Sequence, residues 1–231
     1  MRQAVSYTLD RQAIVNDVFA GQRRPLLGPI PDEVPGAQTT LPEPDLAQAE
    51  ALMLEVGYTK ENPLEIALWF VNDDRYSDVE EQYINLIASQ LEASGLFLVE
   101  VNGAPWEQFR VQVAQCGYPA FLLGWPTPGH PVNYLDPSSW TDFFVQETDS
   151  VICSNYQSDA MDELVQASRE ELNNEARAAI YAQIQQLWAD ELPTLDITQE
   201  PRRALSLAKV KDVTVDALGL MHYEWLAKPA E

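Results

Sequence analysis

The sequence predicts an α/β domain with a mixed sheet flanked by helices. Apolar stretches of strand composition at 64–71, 96–101 and 119–123 alternate with amphipathic segments of helical period. Strands that alternate with helices are the pattern of layered α/β architecture. The 231 residues, 46% of them hydrophobic, suffice to bury a substantial core.

Residues 3–20 read as helix in two pieces, with Ala4, Val5, Leu9, Ile14, Val15, Val18 and Phe19 at helical spacing. Asp10 sits where an N-cap would restart the helix, and Gly21 is its stop. Residues 22–44 hold prolines 25, 29, 31, 35, 42 and 44 and read as a loop draped over the surface. Asp45 caps a helix with Leu46, Ala49, Leu52, Met53 and Val56 on one face, closed by Gly57. After the strand 64–71 comes a helix with Tyr76, Val79, Tyr83, Ile84, Ile87 and Leu91 in its stripe and Gly95 as its stop. Pro105 then opens a helix through Phe109 and Val113, since proline suits a first turn.

An aromatic, proline-rich loop is expected over 124–157. Ser158 caps a helix with Met161, Leu164 and Val165. Another helix begins near Asn174 with Ala176, Ile180, Ile184 and Leu187 inward. Pro193 starts a strand through Ile197, and 203–226 reads as short strands without a helix. The whole chain is read as one unit, with no internal repeat.

Charge narrows the partners. Acidic residues outnumber basic ones 36 to 14, for a net charge of -22. Such a field repels nucleic-acid phosphates and anionic lipid, so neither is an expected partner. No segment reaches the ~18 consecutive apolar residues of a membrane span, and Met1 is followed by no long apolar signal core. Cys116 and Cys153 form no CxxC motif. They are read as two partly buried free thiols, with a disulfide as the alternative.

Signals for catalysis are weak. There is no G-x-S-x-G elbow and no phosphate-cradling glycine loop. His130 and His222 stand far apart, and neither belongs to an H-E-x-x-H arrangement; His222 is read as structural. The pairs Asp73–Asp74, Glu80–Glu81 and Glu170–Glu171 read as solvated faces. No catalytic residue, metal ligand or cofactor is expected. Tryptophan is more informative. Trp188 lies on a helix stripe and is read as core, and Trp69 falls on the strand face opposite Leu68 and Phe70. Trp125 follows Gly124 at the end of an apolar strand, and ligands of open α/β sheets bind outside the carboxyl ends of strands. A flat aromatic there can line a pocket, with simple packing as the alternative.

Four stretches then act together: MRQAVSYTLDRQAIVNDVFAGQ at 1–22, EPDLAQAEALMLEVGY at 43–58, AFLLGWPTPGHPVNYLDP at 120–137, and SNYQSDAMDELVQASREELNNEARAAIYAQIQQLWADELPTLDI at 154–197. Their order and spacing resemble the family 5 extracytoplasmic solute-binding proteins, the oligopeptide-, dipeptide- and nickel-binding proteins that serve ABC importers. The resemblance implies a type II periplasmic-binding-protein-like fold, an extracytoplasmic parent (periplasmic or a membrane-anchored lipoprotein), and two lobes that close on a solute. The first stretch normally lies near the crossing into the second lobe. The chain is therefore expected to be the carboxy-terminal lobe alone, half of a cleft, without the N-terminal lobe that partners it. Met1 then reads as a start at a domain boundary. Importer membrane subunits would be partners of the full-length parent.

By the family's pattern, Trp125 forms a cleft wall, Pro126, Thr127 and His130 shape its edge, and Asn133 and Tyr134 offer polar contacts. Peptide-binding members carry an aspartate after the Gly-Trp that pairs with the peptide amino terminus. Here no acid appears until Asp136. The implied solute is a peptide, a sugar or a metal chelate. The other readings are an autonomous interaction module and, on this fold, a hydrolase. A lobe built to be covered should also expose apolar side chains near Trp125.

Overall fold

The computed structural model describes residues 1–125, 136–145, 152–201, 203–215 and 221–227. Helices α1 (Arg2–Thr8) and α2 (Arg11–Phe19) are separated where expected, because the Asp10 carboxylate accepts from Ala13 N at 2.8 Å. Asp45 caps α3 (Leu46–Glu55) through Ala47 N and Gln48 N. Ser158 caps α7 (Asp159–Glu170), and Asn173 caps α8 (Asn174–Glu191). Each cap satisfies amide donors that the first helical turn leaves unpaired.

The sheet that organises the chain has three parallel strands. β2 (Leu64–Val71) is central, with β3 (Phe97–Ala104) on one side and β4 (Ala120–Phe121) on the other. Helix α4 (Glu80–Ala93) connects β2 to β3, and α5 (Trp106–Ala114) connects β3 to β4. The antiparallel pairing sits elsewhere. β1 (Arg24–Pro25) pairs with β5 (Thr198–Gln199) as a separate two-stranded ribbon. The mixed strand directions are thus divided between two small sheets.

Strand alternation places Leu68 and Phe70 on one face of β2. They join Ala4, Leu9, Ile14, Met53, Ile84 and Phe97 in a core under α1–α4. Trp69 and Val71 face the other way, into a cluster with Phe109, Tyr118 and Ile152. A third core joins Met161, Val165, Tyr181, Ile184 and Trp188 from α7 and α8 to Ile30, Val34 and Leu41. The proline-rich segment 22–44 therefore does more than cover a surface. Leu26, Ile30, Val34 and Leu41 are buried, and Gln185 holds its backbone by accepting from Gln38 N and donating to Gly36 O.

Several sequence expectations change. On α3 only Ala49 and Met53 are buried, while Leu46 and Val56 are exposed. The buried stripe of α8 is Tyr181, Ile184, Gln185 and Trp188, which leaves Ala176 outside. No strand runs from Pro193; pairing is confined to Thr198–Gln199. The described part of 203–226 holds isolated bridges and a 3-10 turn, Tyr223–Trp225, where His222 stacks on Trp225. The segment read as loop contains α6 (Ser138–Val145). Its Trp, Thr, Phe and Val residues are poor helix formers, so its stability comes from tertiary ties. Arg177 donates to both oxygens of Asp136 at 2.8 and 3.0 Å, and Arg169 pairs with Asp142 at 2.9 Å.

The two cysteines are joined. Cys116 and Cys153 form a disulfide with a Cα separation of 5.0 Å. The expectation of free thiols fails because folding returns the segment after α6 to the end of α5, where Cys153 N donates to Val113 O at 3.1 Å. That return is a long-range contact to which spacing along the chain is blind.

Candidate ligand-binding rim

The chain runs parallel through β2, β3 and β4, so their carboxyl ends open at one edge. Three connections meet there: 72–79 after β2, Pro105 and Trp106 after β3, and 122–125 after β4. Trp69, Tyr76, Trp106, Phe121, Leu123 and Trp125 pack partly buried around Val71, Ala104, Phe109, Val113, Tyr118 and Ile152. Aromatic geometry ties them together. Trp69 stacks on Tyr118 at 4.4 Å, Phe121 meets Phe109 edge-on, and Tyr76 meets Trp106 edge-on at 6.3 Å.

Each rim side chain is held by a specific contact. The Trp125 indole N–H donates to Ser139 O at 3.2 Å, which fixes the ring against α6. Tyr76 lies over Gly124 so closely that an added Cβ would stand 2.6 Å from its ring. The Arg75 guanidinium sits over the Trp106 ring, 4.1 Å from its centroid, a cation–π contact. Asp73 Oδ2 accepts from Trp106 N at 2.8 Å. Pro105 supplies no side-chain cap to α5, so Asp73 supplies it from the neighbouring connection. Burial pushes the Tyr76 phenol up to about 12, against the pull of Arg75. It stays a neutral hydroxyl at any ordinary pH.

Asp136 is the first acid after Trp125, and Arg177 holds it. The paired guanidinium keeps its carboxyl down at about 2, against a smaller opposing effect of burial. Arg177 also donates to Ser168 O and to the Tyr181 hydroxyl. Asp136 is thus a strut between α6 and α8.

Of the six residues expected to bind solute, Trp125 stands at the rim. Pro126, Thr127, His130, Asn133 and Tyr134 lie outside the described residues. Sequence reasoning missed Asp73, Arg75, Tyr76 and Trp106. The helical stripe predicted from sequence includes Tyr76, but α4 begins at Glu80 and the turn through Asp74, at φ +57, carries Tyr76 to the rim. Asp73 caps α5 from an exposed position, while Glu80 is buried and so leaves the solvated face expected of it. The rule that singled out Trp125, an aromatic just beyond a strand, applies equally to Trp106 and Tyr76. Chemically, the rim offers flat apolar faces, a phenol and a guanidinium. Among the described residues no group of three or more His, Cys, Asp or Glu is arranged to hold a metal.

Residues 1–149 match the model of the bacterial extracellular solute-binding proteins, family 5 Middle. The chain belongs to this family. It is 21% identical over 206 residues to the oligopeptide-binding protein OppA of Bacillus subtilis (strain 168), covering 85% of this chain and 36% of that protein. The fold is similar to HbpA2 from Haemophilus parasuis, with a TM-score of 0.82 at 19% identity over 99% of this chain and 45% of that one. A dipeptide binding protein from Pseudoalteromonas sp. SM9913, solved in complex with Met-Leu, is similar with a TM-score of 0.79 at 20% identity, again over 99% and 45%. The chain therefore spans less than half the length of the relatives it matches. These likenesses establish a type II periplasmic-binding-protein fold for this family 5 chain.

Proposed function

We propose that this chain is one lobe of a solute-binding protein serving an ABC importer, and that the rim around Trp125 is one wall of the ligand cleft. The supporting observation is convergence. Trp125, Tyr76 and Trp106 come from three successive strand ends and meet at the carboxyl edge of a parallel sheet, where open α/β sheets bind ligands. The family's pattern adds Pro126, Thr127, His130, Asn133 and Tyr134 to the residues proposed to contact solute. The relative that carries Met-Leu, and others named for oligopeptides, favour a small peptide or a similar solute. The wall binds and releases; it makes or breaks no bond. A partner lobe supplies the facing wall, and importer membrane subunits receive the loaded protein. The parent works outside the cytoplasm, and a disulfide is at home there.

The solute class follows from what the wall carries. Asp136 is occupied by Arg177 and offers no free carboxylate to a peptide ammonium. Arg75 and the aromatic faces suit a solute that presents a carboxylate or a flat group. Titration with dipeptides, sugars and metal chelates tests this by tryptophan fluorescence and melting temperature. Half the contact energy of a micromolar complex leaves about 4 kcal/mol, so saturation near millimolar is expected for one lobe. Trp125→Ala should abolish the response. No response to any of these at tens of times that concentration, or turnover of a chromogenic ester, would overturn the proposal.

A further inference from the structure

The Cys116–Cys153 disulfide takes no part in the proposed contact with solute, yet it bears on the rim. It closes a loop of sequence separation 37 that contains β4, Gly124, Trp125 and α6. Cys116 lies in the exposed turn between α5 and β4, and Cys153 is half-buried beside it. The residue next to Cys153, Ile152, is buried in the aromatic cluster. Among that cluster's described members, Ile152 alone follows Trp125 in the chain. The bridge and the Cys153 N–H bond to Val113 O hold the chain next to Ile152 against the end of α5, beside Phe109 and Tyr118. Tyr118 is buried with its hydroxyl unpaired among the described residues, so its position depends on packing. The aliphatic core under α1–α4 shares no member with this cluster.

We propose that Cys116–Cys153 is a reducible clamp on the rim, open to exchange with a small dithiol, and that its reduction loosens 117–125 while the core under α1–α4 stays folded. The exchange is balanced. A dithiol thiolate attacks the exposed Cys116 Sγ, the S–S bond breaks, and Cys153 leaves as a thiolate that takes a proton. The second thiol of the reagent, as thiolate, attacks the mixed disulfide and expels Cys116, which is protonated in turn. The dithiol gives up two electrons and closes to a cyclic disulfide; the two cysteines receive the electrons and two protons. α6 keeps its ties to α7 and α8 through Asp142–Arg169 and Asp136–Arg177, so loosening is confined to the flanks that meet α5.

The test treats the folded chain with dithiothreitol in native buffer, counts thiols with a chromogenic reagent, and follows amide hydrogen exchange by peptide. Both cysteines should become reactive without denaturant. Exchange in peptides covering 117–125 should rise about tenfold or more, while α1–α3 stay unchanged, because local opening is separable from global unfolding. A Cys153→Ser chain should show the same pattern without reductant. Thiols that appear only in denaturant would overturn the proposal. So would native reduction with no change at 117–125, or with every peptide exchanging faster together. Failure of Cys153→Ser to fold would overturn it as well, since the core would then depend on the bridge.

Discussion

The two faces of β2 are packed by different means. Leu68 and Phe70 enter an aliphatic core closed by Ile84, Leu91 and Phe97, where side chains from α1–α4 exclude water. One residue along the strand, Trp69 and Val71 enter an aromatic cluster that stays half-open at the strand ends. The first face is secured mainly by apolar area, with one edge-on ring pair, Phe19 and Tyr83, at its margin. The second uses ring stacking, a cap borrowed from Asp73, an indole N–H bond and a disulfide. Apolar contacts are non-directional and suit a core, whereas a binding wall must hold a few side chains in fixed positions. Where directional contacts crowd together, a site is the reading to test.

Truncation separates the faces most strongly. Phe97→Ala, at a fully buried position, should cost about 3–5 kcal/mol by denaturant unfolding, from lost transfer energy and the cavity left behind. Trp125→Ala removes a half-buried ring and should cost about half that or less, while removing the fluorescence response to solute. Equal losses would mean that the rim is simply more core.

Acid–base behaviour separates them next. Glu80 Oε2 and Asp196 Oδ2 are buried without a hydrogen-bond partner among the described residues. Burial raises Asp196 to about 7 against the pull of Arg11, and raises Glu80 to about 6 against Arg23. Both folded values exceed the unfolded ones, so the fold binds more protons through this window. Stability should therefore fall as pH rises from about 4 to 8. Glu80→Gln should flatten that slope by about 2 kcal/mol, at about 1.4 kcal/mol per pKa unit. Asp136, on the rim side, has the opposite sign. Its carboxyl is held at about 2 by Arg177, so its contribution is present above the unfolded value and lost as pH falls toward 2. Melting temperature against pH for the wild type, Glu80→Gln and Asp136→Asn reads both. A flat wild-type profile between pH 4 and 8 would remove the first effect.

Gly124→Ala should be the mildest in stability, at about 1–2 kcal/mol. Its Cβ would drive into the Tyr76 ring. Tyr76 must shift, so solute binding should weaken more than folding does. Denaturation midpoints beside a solute titration check the ratio.

Much of the fold was legible because it rests on local chemistry. Asp10, Asp45 and Ser158 marked helix starts through the amides they satisfy, and residues 64–71 marked a strand to the residue. α6 was not legible, because its residues favour no helix and its stability comes from Arg177 and Arg169 far along the chain. The buried part of 22–44 was hidden for a similar reason. Prolines announce a loop, and whether Ile30, Val34 and Leu41 face water depends on α7 and α8.

By itself, then, the sequence determined the α/β class, most helix boundaries, the family and the place of Trp125 at a strand end. These follow from periodicity, caps and order along the chain, which act over a few residues. Tertiary structure alone decided that Asp73, Arg75, Tyr76 and Trp106 join Trp125 at one rim, that Asp136 is taken by Arg177, and that Cys116 meets Cys153. Each of these is a contact between segments distant in sequence, and no local preference encodes which distant segment will arrive.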